Sequence, residues 1–218
     1  LVVGSNSNHA QRAVAFLRPM AGTALSRLLL CTGNAGKVAE LRALLPTGIE
    51  VVSLMQAGLP LELPETGDTL EANALQKARF AFDRTGLACL ADDTGLEVDA
   101  LHGAPGVLSA RYAGPEKDAL ANMRKLLDEL QGQVQRRARF RTVIAFVGSG
   151  IERCFEGKVE GAITHAPRGD AGFGYDPIFQ PSGHSRTFAE MSIAEKNRLS
   201  HRAEAMREAV AFLTDQPR

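Results

Sequence analysis

The stretch Leu28-Leu29-Leu30-Cys31-Thr32-Gly33-Asn34-Ala35-Gly36-Lys37 constrains this chain more than any other. A continuous apolar run reads as a buried strand, here residues 27–33. It passes through glycine and asparagine into residues 35–45, where Val38, Leu41, Leu44 and Leu45 share one helical face before Pro46 and Gly48 stop it. Strand, glycine-rich turn and helix in that order build an α/β fold, and the same order builds phosphate-binding loops. Backbone N–H groups at a helix N-terminus attract anions, and Lys37 adds a full positive charge.

The rest of the pattern extends this start. Residues 49–54 read as a strand, and Asp68 with Glu71 as a capping pair for a helix reaching about Asp83, with Leu75, Ala78 and Phe82 along its stripe. Residues 87–91 form a strand that runs into Asp92-Asp93-Thr94-Gly95, and 117–131 a helix. Residues 138–147 and 151–163 are joined by Gly148-Ser149-Gly150, an antiparallel hairpin. Ser192 and Glu195 form a capping box for a last helical region ending near Leu213. The expected fold is α/β: a long mixed central sheet with flanking helices, in two lobes around an active-site cleft.

Lys and Arg number 25, as do Asp and Glu, so no charge excess points to nucleic acid or a membrane surface. No apolar run approaches the roughly 18–20 residues that span a bilayer. Cys31, Cys89 and Cys154 lack metal-ligand or CxxC spacing and read as buried thiols of a reducing compartment, the cytoplasm. Residues 1–39 contain no acid but several arginines. Residues 1–26 are therefore set aside as a leader or non-native extension, a transit peptide being the other reading, and 27–218 taken as the domain.

Five stretches carry candidate chemistry. Gly33-Asn34-Ala35-Gly36-Lys37-Val38 is too short for a Walker A loop and lacks its Mg²⁺-binding hydroxyl, so the P-loop reading fails. What remains is either a generic anion grip or plain turn chemistry. Asp92 and Asp93, placed at a strand's carboxyl end, point to opposite faces and take different tasks, unless they only close the strand in an Asx-turn. Glu65, followed by Thr66, Gly67 and Asp68, either completes a Mg²⁺ site or belongs to a loop and cap. Gly172-Phe173-Gly174-Tyr175-Asp176-Pro177 holds aromatics between glycines, as a ligand-stacking wall or as a buried turn. Lys196 and His201 would lie about 140° apart on one unbroken helix. A break near Arg198–Ser200, with Ser200 capping a second helix, is therefore expected if both serve one ligand; otherwise these residues form a solvated charged face.

Together these motifs, with Ser109-Ala110-Arg111-Tyr112 after Gly103-Ala104-Pro105-Gly106, resemble the inosine triphosphate pyrophosphatase family over residues 27 to about 213. The resemblance implies Mg²⁺-dependent hydrolysis of ITP, dITP and XTP to monophosphate and pyrophosphate, by a homodimer with its active site between two lobes. It implies that Thr32, Gly33, Asn34, Ala35, Gly36 and Lys37 grip the triphosphate. Asp93 would be metal ligand and proton acceptor, with Thr94 beside it touching substrate. Phe173, Gly174, Tyr175 and Asp176 would wall base and sugar, Lys196 would contact substrate, and His201 with Arg202 would read the 6-oxo purine edge. Where the family often has two acids before Thr-Gly, this chain has Pro64-Glu65. Glu65 is thus the acid left to join Asp93 on the metal, with Asp92 or water completing the shell. A nucleotide sensor without hydrolysis and a pyrophosphatase for modified pyrimidines are the alternatives.

Overall fold

The structure, a computed structural model, describes residues 25–214. All but the last two residues of the segment set aside as a leader lie outside the described residues. Seven strands form one mixed sheet: β1 (Arg27–Leu30), β2 (Glu50–Ser53), β3 (Cys89–Val98), β4 (Pro105–Gly106), β5 (Arg137–Gly148), β6 (Ile151–Ile163) and β7 (Phe179–Pro181). Their order is β2-β1-β3-β5-β6-β7, with β4 paired to β3. The β1 strand runs parallel to β2 and β3, and every other pairing is antiparallel. The helices are α1 (Ala35–Leu44), α2 (Leu70–Thr85), α3 (Ala119–Glu129), α4 (Ile193–Leu199) and α5 (His201–Thr214).

Period-two alternation in β1 decides which helix covers which face. Leu29 and Cys31 pack with Ala74, Ala78 and Ala81 of α2, together with Ala91, Val143 and Ala145. Leu28 and Leu30 point the other way, onto Leu41 of α1 and Ala205, Met206 and Ala209 of α5. The small alanines on α2 and α5 let helix backbones lie close to the sheet. At the far end of β3 and β5 a third core gathers Leu96, Phe140, Leu126 and Leu130 with Ile178, Phe179 and Phe188. The long β3–β5–β6 ladder is shared by both ends, which gives the expected two lobes a common spine.

Two local expectations are corrected. The strand expected to stop at Ala91 continues through Asp92, Asp93, Thr94 and Gly95 to Val98, because β5 pairs with it along its whole length. Thr94 lies opposite Thr142, and their hydroxyls sit 2.7 Å apart, so polar side chains are satisfied inside the ladder. No Asx-turn closes the strand at this point. The cap of α2 is Thr69, whose hydroxyl accepts from Ala72 N at 3.1 Å; Asp68 lies one residue outside.

The expected break near Arg198–Ser200 is present. Helix α4 begins with the Ser192–Glu195 capping box and ends at Leu199. Ser200 is extended, and its hydroxyl accepts from Ala203 N at 3.2 Å to start α5. The hairpin between β5 and β6 pairs Gly148 with Ile151 across Ser149-Gly150.

The first turn of α5 lies directly on β6 at Gly157. A Cβ there would overlap the His201 carbonyl oxygen and stand 2.5 Å from Ala205 N, both of them backbone atoms that cannot rotate away. Gly157→Ala is therefore expected to cost about 1–3 kcal/mol, the usual range for overpacking. Urea denaturation checks this, and a midpoint equal to wild type would refute the close seat.

Candidate active site

The N-terminus of α1 is built as the sequence suggested. Asn34 is its N-cap, accepting from Lys37 N at 3.1 Å, while Asn34 N donates to Thr32 Oγ1 at 3.2 Å. Thr32 to Ala35 therefore present backbone on a half-buried to exposed rim, with the Asn34 amide oxygen already spent on the cap. The Lys37 ammonium folds inward to 3.0 Å from Asp92 Oδ2. Burial lowers its pKa, and the neighbouring charges of Lys77 and Arg202 add to that, while Asp92 opposes it. Gly36 has a second use, since a Cβ on it would stand 2.5 Å from the Phe173 ring. The glycine-rich loop and the aromatic turn are thus in contact.

Asp92 and Asp93 face opposite sides of β3, as alternation requires. Asp92 is completely buried toward α1 and α5, with Lys37 at 3.0 Å and Arg202 Nε at 3.3 Å. Burial alone would raise its pKa, but Lys37, Arg202 and Lys77 outweigh that and hold the carboxyl well below the usual range. Asp93 faces α2, where Lys77 Nζ lies 3.5 Å from its Oδ1. Here burial prevails and, with the nearby Glu65 charge, raises the pKa against the pull of Lys77 and Lys37.

Glu65 is brought to Asp93 by ties between its loop and α2. Thr66 exchanges two hydrogen bonds with Gln76, each 2.9 Å, and Gly67 N donates to Asn73 Oδ1 at 2.7 Å. Lys77 closes the set, bonding the Glu65 carboxylate and donating to Asp92 O at 2.7 Å. Among the described residues no three His, Cys, Asp or Glu side chains converge into a ready-made metal cage. The donors still suit a hard cation. Asp93 Oδ2 is a buried acceptor with no protein partner, and Glu65 lies across Lys77 from Asp93. Asp92, expected as a possible further ligand, lies on the opposite face of β3 against Lys37 and Arg202, which leaves water to complete the shell. Mg²⁺ takes one or two carboxylates and completes its shell with water and phosphate oxygens.

At the other end, Phe173 forms one wall of a cavity of ≈ 160 Å³ that also touches Gly36, Glu40, Gly172, Phe188 and Lys196. Gly172, at φ +76°, turns the chain so that Asp176 Oδ2 accepts from Phe173 N at 2.9 Å; a Cβ at Gly172 would overlap that carboxylate. Lys196 Nζ bonds Asp176 at 2.7 Å and Glu40 at 2.8 Å, and lies 4.7 Å from the Phe173 centroid. Arg202 bonds Glu40 as well as Asp92, and Thr94 Oγ1 at 3.2 Å.

Two of the expected wall and edge residues are placed differently from their neighbours. Tyr175 belongs to the far core, where its hydroxyl donates to Ser109 O at 2.9 Å, because the turn at Gly174 directs successive side chains apart. The Tyr175 ring is therefore structural, and of the two aromatics in this turn it is Phe173 that faces the cavity, with Phe188 also lining it. His201 is 2% exposed and stacks on Phe140 at 4.7 Å and 17°. Burial, together with Arg202 and Lys196, drives its pKa well below 6.5, so its imidazole is neutral, and its Nδ1 has no protein partner.

Glu40, Lys77 and Asn73 are central here, and the sequence reading assigned none of them a role. A signal existed for each. Lys77 and Asn73 interrupt the alanine stripe of α2, and Glu40 adjoins Leu41 on the inward side of α1; polar residues on an apolar face need a partner to justify burial.

Comparison with known proteins completes the picture. The Ham1 family matches residues 28–212. The dITP/XTP pyrophosphatase of Porphyromonas gingivalis is 50% identical over 190 residues, covering 87% of this chain and 98% of that protein. That of Bacillus licheniformis is 49% identical over 193 residues, with 87% and 98% covered. A HAM1 protein from Coxiella burnetii has a TM-score of 0.80 at 39% identity, covering 87% of this chain and 98% of its own. The dITP/XTP pyrophosphatase from Mycobacterium abscessus has a TM-score of 0.69 at 44% identity, covering 86% and 98%. With the loop, paired carboxylates and aromatic turn gathered on one sheet, this chain belongs to the Ham1 family.

Proposed function

We propose that the protein hydrolyses the non-standard purine nucleoside triphosphates ITP, dITP and XTP to the monophosphate and pyrophosphate. The observation that carries this reading is one unbroken alternation of buried charge: Asp176, Lys196, Glu40, Arg202, Asp92, Lys37. It begins under the aromatic face of Phe173 and ends at the helix N-terminus, spanning a base site and a phosphate site. The activity named for relatives close to half identical over nearly their whole length agrees with it.

In this reading Lys37 and the free N–H groups of α1 neutralise the triphosphate, and Phe173 stacks on the base. Arg202 has only donors to offer, so it accepts a 6-carbonyl and leaves an adenine amino group unpaired. Asp93, with its raised pKa and free Oδ2, takes the proton of the attacking water. Lys77 holds Asp93 and Glu65 in place. The two carboxylates would hold Mg²⁺, which when bound supplies charge neutralisation at the phosphate oxygens. We place the reaction in the cytoplasm, which three unpaired cysteines support; Cys31 and Cys89 are buried as expected, whereas Cys154, expected to be buried, is exposed on β6. No helix among the described residues is long and apolar enough to cross a membrane. A homodimer is part of the same proposal, supported by exposed Leu61 and Leu120 beside the linked pair Glu62–Lys117. Sedimentation velocity tests it, and a monomer at micromolar concentration would remove it.

A pyrophosphate-release assay with Mg²⁺ and a panel of ITP, dITP, XTP, ATP, GTP, CTP and UTP tests the main reading. Turnover restricted to the first three supports it. Binding without release would favour a sensor, and preference for CTP or UTP a pyrimidine enzyme. Asp93→Asn is expected to keep the fold and lose about 10²–10⁴-fold in kcat. Arg202→Ala, which also releases Glu40 and Asp92, is expected to narrow the ITP-over-ATP ratio of kcat/KM. An unchanged ratio would move base reading elsewhere.

A further inference from the structure

Arg111 has no part in the hydrolysis proposed above, yet the segment that carries it is pinned beside the carboxylates. It ends a short 3₁₀ turn, Ser109–Arg111, reached through β4, whose Gly106 lies opposite Leu96 of β3. The Ser109 hydroxyl accepts from Leu96 N at 2.8 Å and donates to Gly106 O at 2.6 Å, while the Tyr175 hydroxyl donates to Ser109 O. Asn122 of α3 holds the other side, donating to Ala110 O at 3.0 Å and accepting from Ala113 N at 2.6 Å. The backbone is fixed, and the side chain is left loose. Its one charged partner among the described residues is Glu65, whose Oε2 stands 3.7 Å from Nη1, beyond hydrogen-bond distance. A guanidinium offers five N–H donors in a planar fork, and no described residue takes one of these.

The surroundings favour phosphate as the ligand for that fork. Side-chain exposure rises along Asp93, Glu65, Arg111 and Lys117, from 11% through 27% and 30% to 42%, so this line of charge leads from the buried carboxylates to solvent. The loop bearing Glu65 abuts the glycine-rich turn, since a Cβ on Gly33 would stand 2.5 Å from Leu61 O. Cations thus continue outward from Lys37 and Lys77 to Arg111. Resting on the reading above, we infer that Arg111 is a substrate-binding residue for the terminal phosphates and for the pyrophosphate they become, its fork taking two of their oxygens. The inner phosphate lies at Asp93 in that reading, deeper in the site, so the outer two are the groups left to extend toward Arg111. Base and ribose lie at the opposite end, against Phe173, and do not meet it.

Arg111→Gln keeps much of the side chain's length and removes its charge and fork. With wild type hydrolysing ITP, this variant's affinity for a non-hydrolysable α,β-imido analogue of ITP is expected to fall about 10–100-fold, the scale of a charge-assisted hydrogen bond. Its affinity for IMP, which carries the base and the inner phosphate alone, and its thermal midpoint stay at wild type. Calorimetry across a Mg²⁺ titration reads both affinities. If the Gln variant does not fold, Arg111→Lys carries the same split with a smaller loss, because an ammonium keeps the charge without the fork. Analogue affinity equal to wild type, or a loss shared equally by IMP, overturns the inference and leaves Arg111 a counter-ion of Glu65. Full recovery in excess Mg²⁺ overturns it too, since the effect then runs through Glu65 and the metal. A wild-type enzyme inactive on the whole nucleotide panel overturns the functional reading itself, and this inference with it.

Discussion

The buried carboxylate of Asp92 is the contact on which the other parts depend. It is completely inaccessible and takes Lys37 from α1 and Arg202 from α5 on one face of β3. Removing either partner would leave charge stranded in a dry interior, at about 3–5 kcal/mol for a broken buried pair. The three elements are therefore locked in register by charge as well as by the leucines beneath. Glu40 extends the lock to Lys196 and hence to Asp176 and the aromatic turn. A site that must receive a polyanion is thus assembled in advance, with its cations spaced by carboxylates that prevent their mutual repulsion.

Neighbouring positions on one strand have been given opposite electrostatic fates. Asp92 sits among three cations and stays ionised across the physiological range. Asp93 shares Lys77 with Glu65, so the same burial raises its pKa. Backbone alternation separates a structural counter-ion from the proposed proton acceptor without any change of residue type. In the proposed mechanism the two sides of β3 also divide the work, with recognition toward α1 and α5 and chemistry toward α2.

Much of this was legible in the chain because the relevant signals are local. Apolar runs, the glycine-rich turn after β1, the hairpin at Ser149-Gly150 and the helix break at Ser200 each follow from a few adjacent residues. The end of β3 was not legible, since Asp-Asp-Thr-Gly reads as a turn unless the partner strand is known. The pairing of Thr94 with Thr142 comes from 48 residues away. Thr69 and Asp68 were likewise indistinguishable as caps, both being good acceptors. Glu40, Lys77 and Asn73 stayed hidden because their meaning lies in what they meet: Arg202 for Glu40, Asp93 for Lys77, Gly67 for Asn73. Tyr175 and Phe173 look alike in sequence, and the backbone turn between them sends one ring to a core and the other to a cavity.

Lys37 and Glu40 stand three residues apart on α1, about 4.5 Å along its axis at 1.5 Å per residue. One is the residue proposed to meet the phosphates, and the other steadies the group proposed to read the base. Helix α1 thereby works as a measuring rod whose two marks are fixed by the geometry of a single helical turn. A flexible connection would tolerate ligands of many lengths, but under the proposed roles a rod of this stiffness would admit only those whose charged and planar ends are separated by the right span. Discrimination by size would then be built into the same turn that begins with Asn34, and an inserted residue between the two marks would rotate Glu40 by about 100° off its partners.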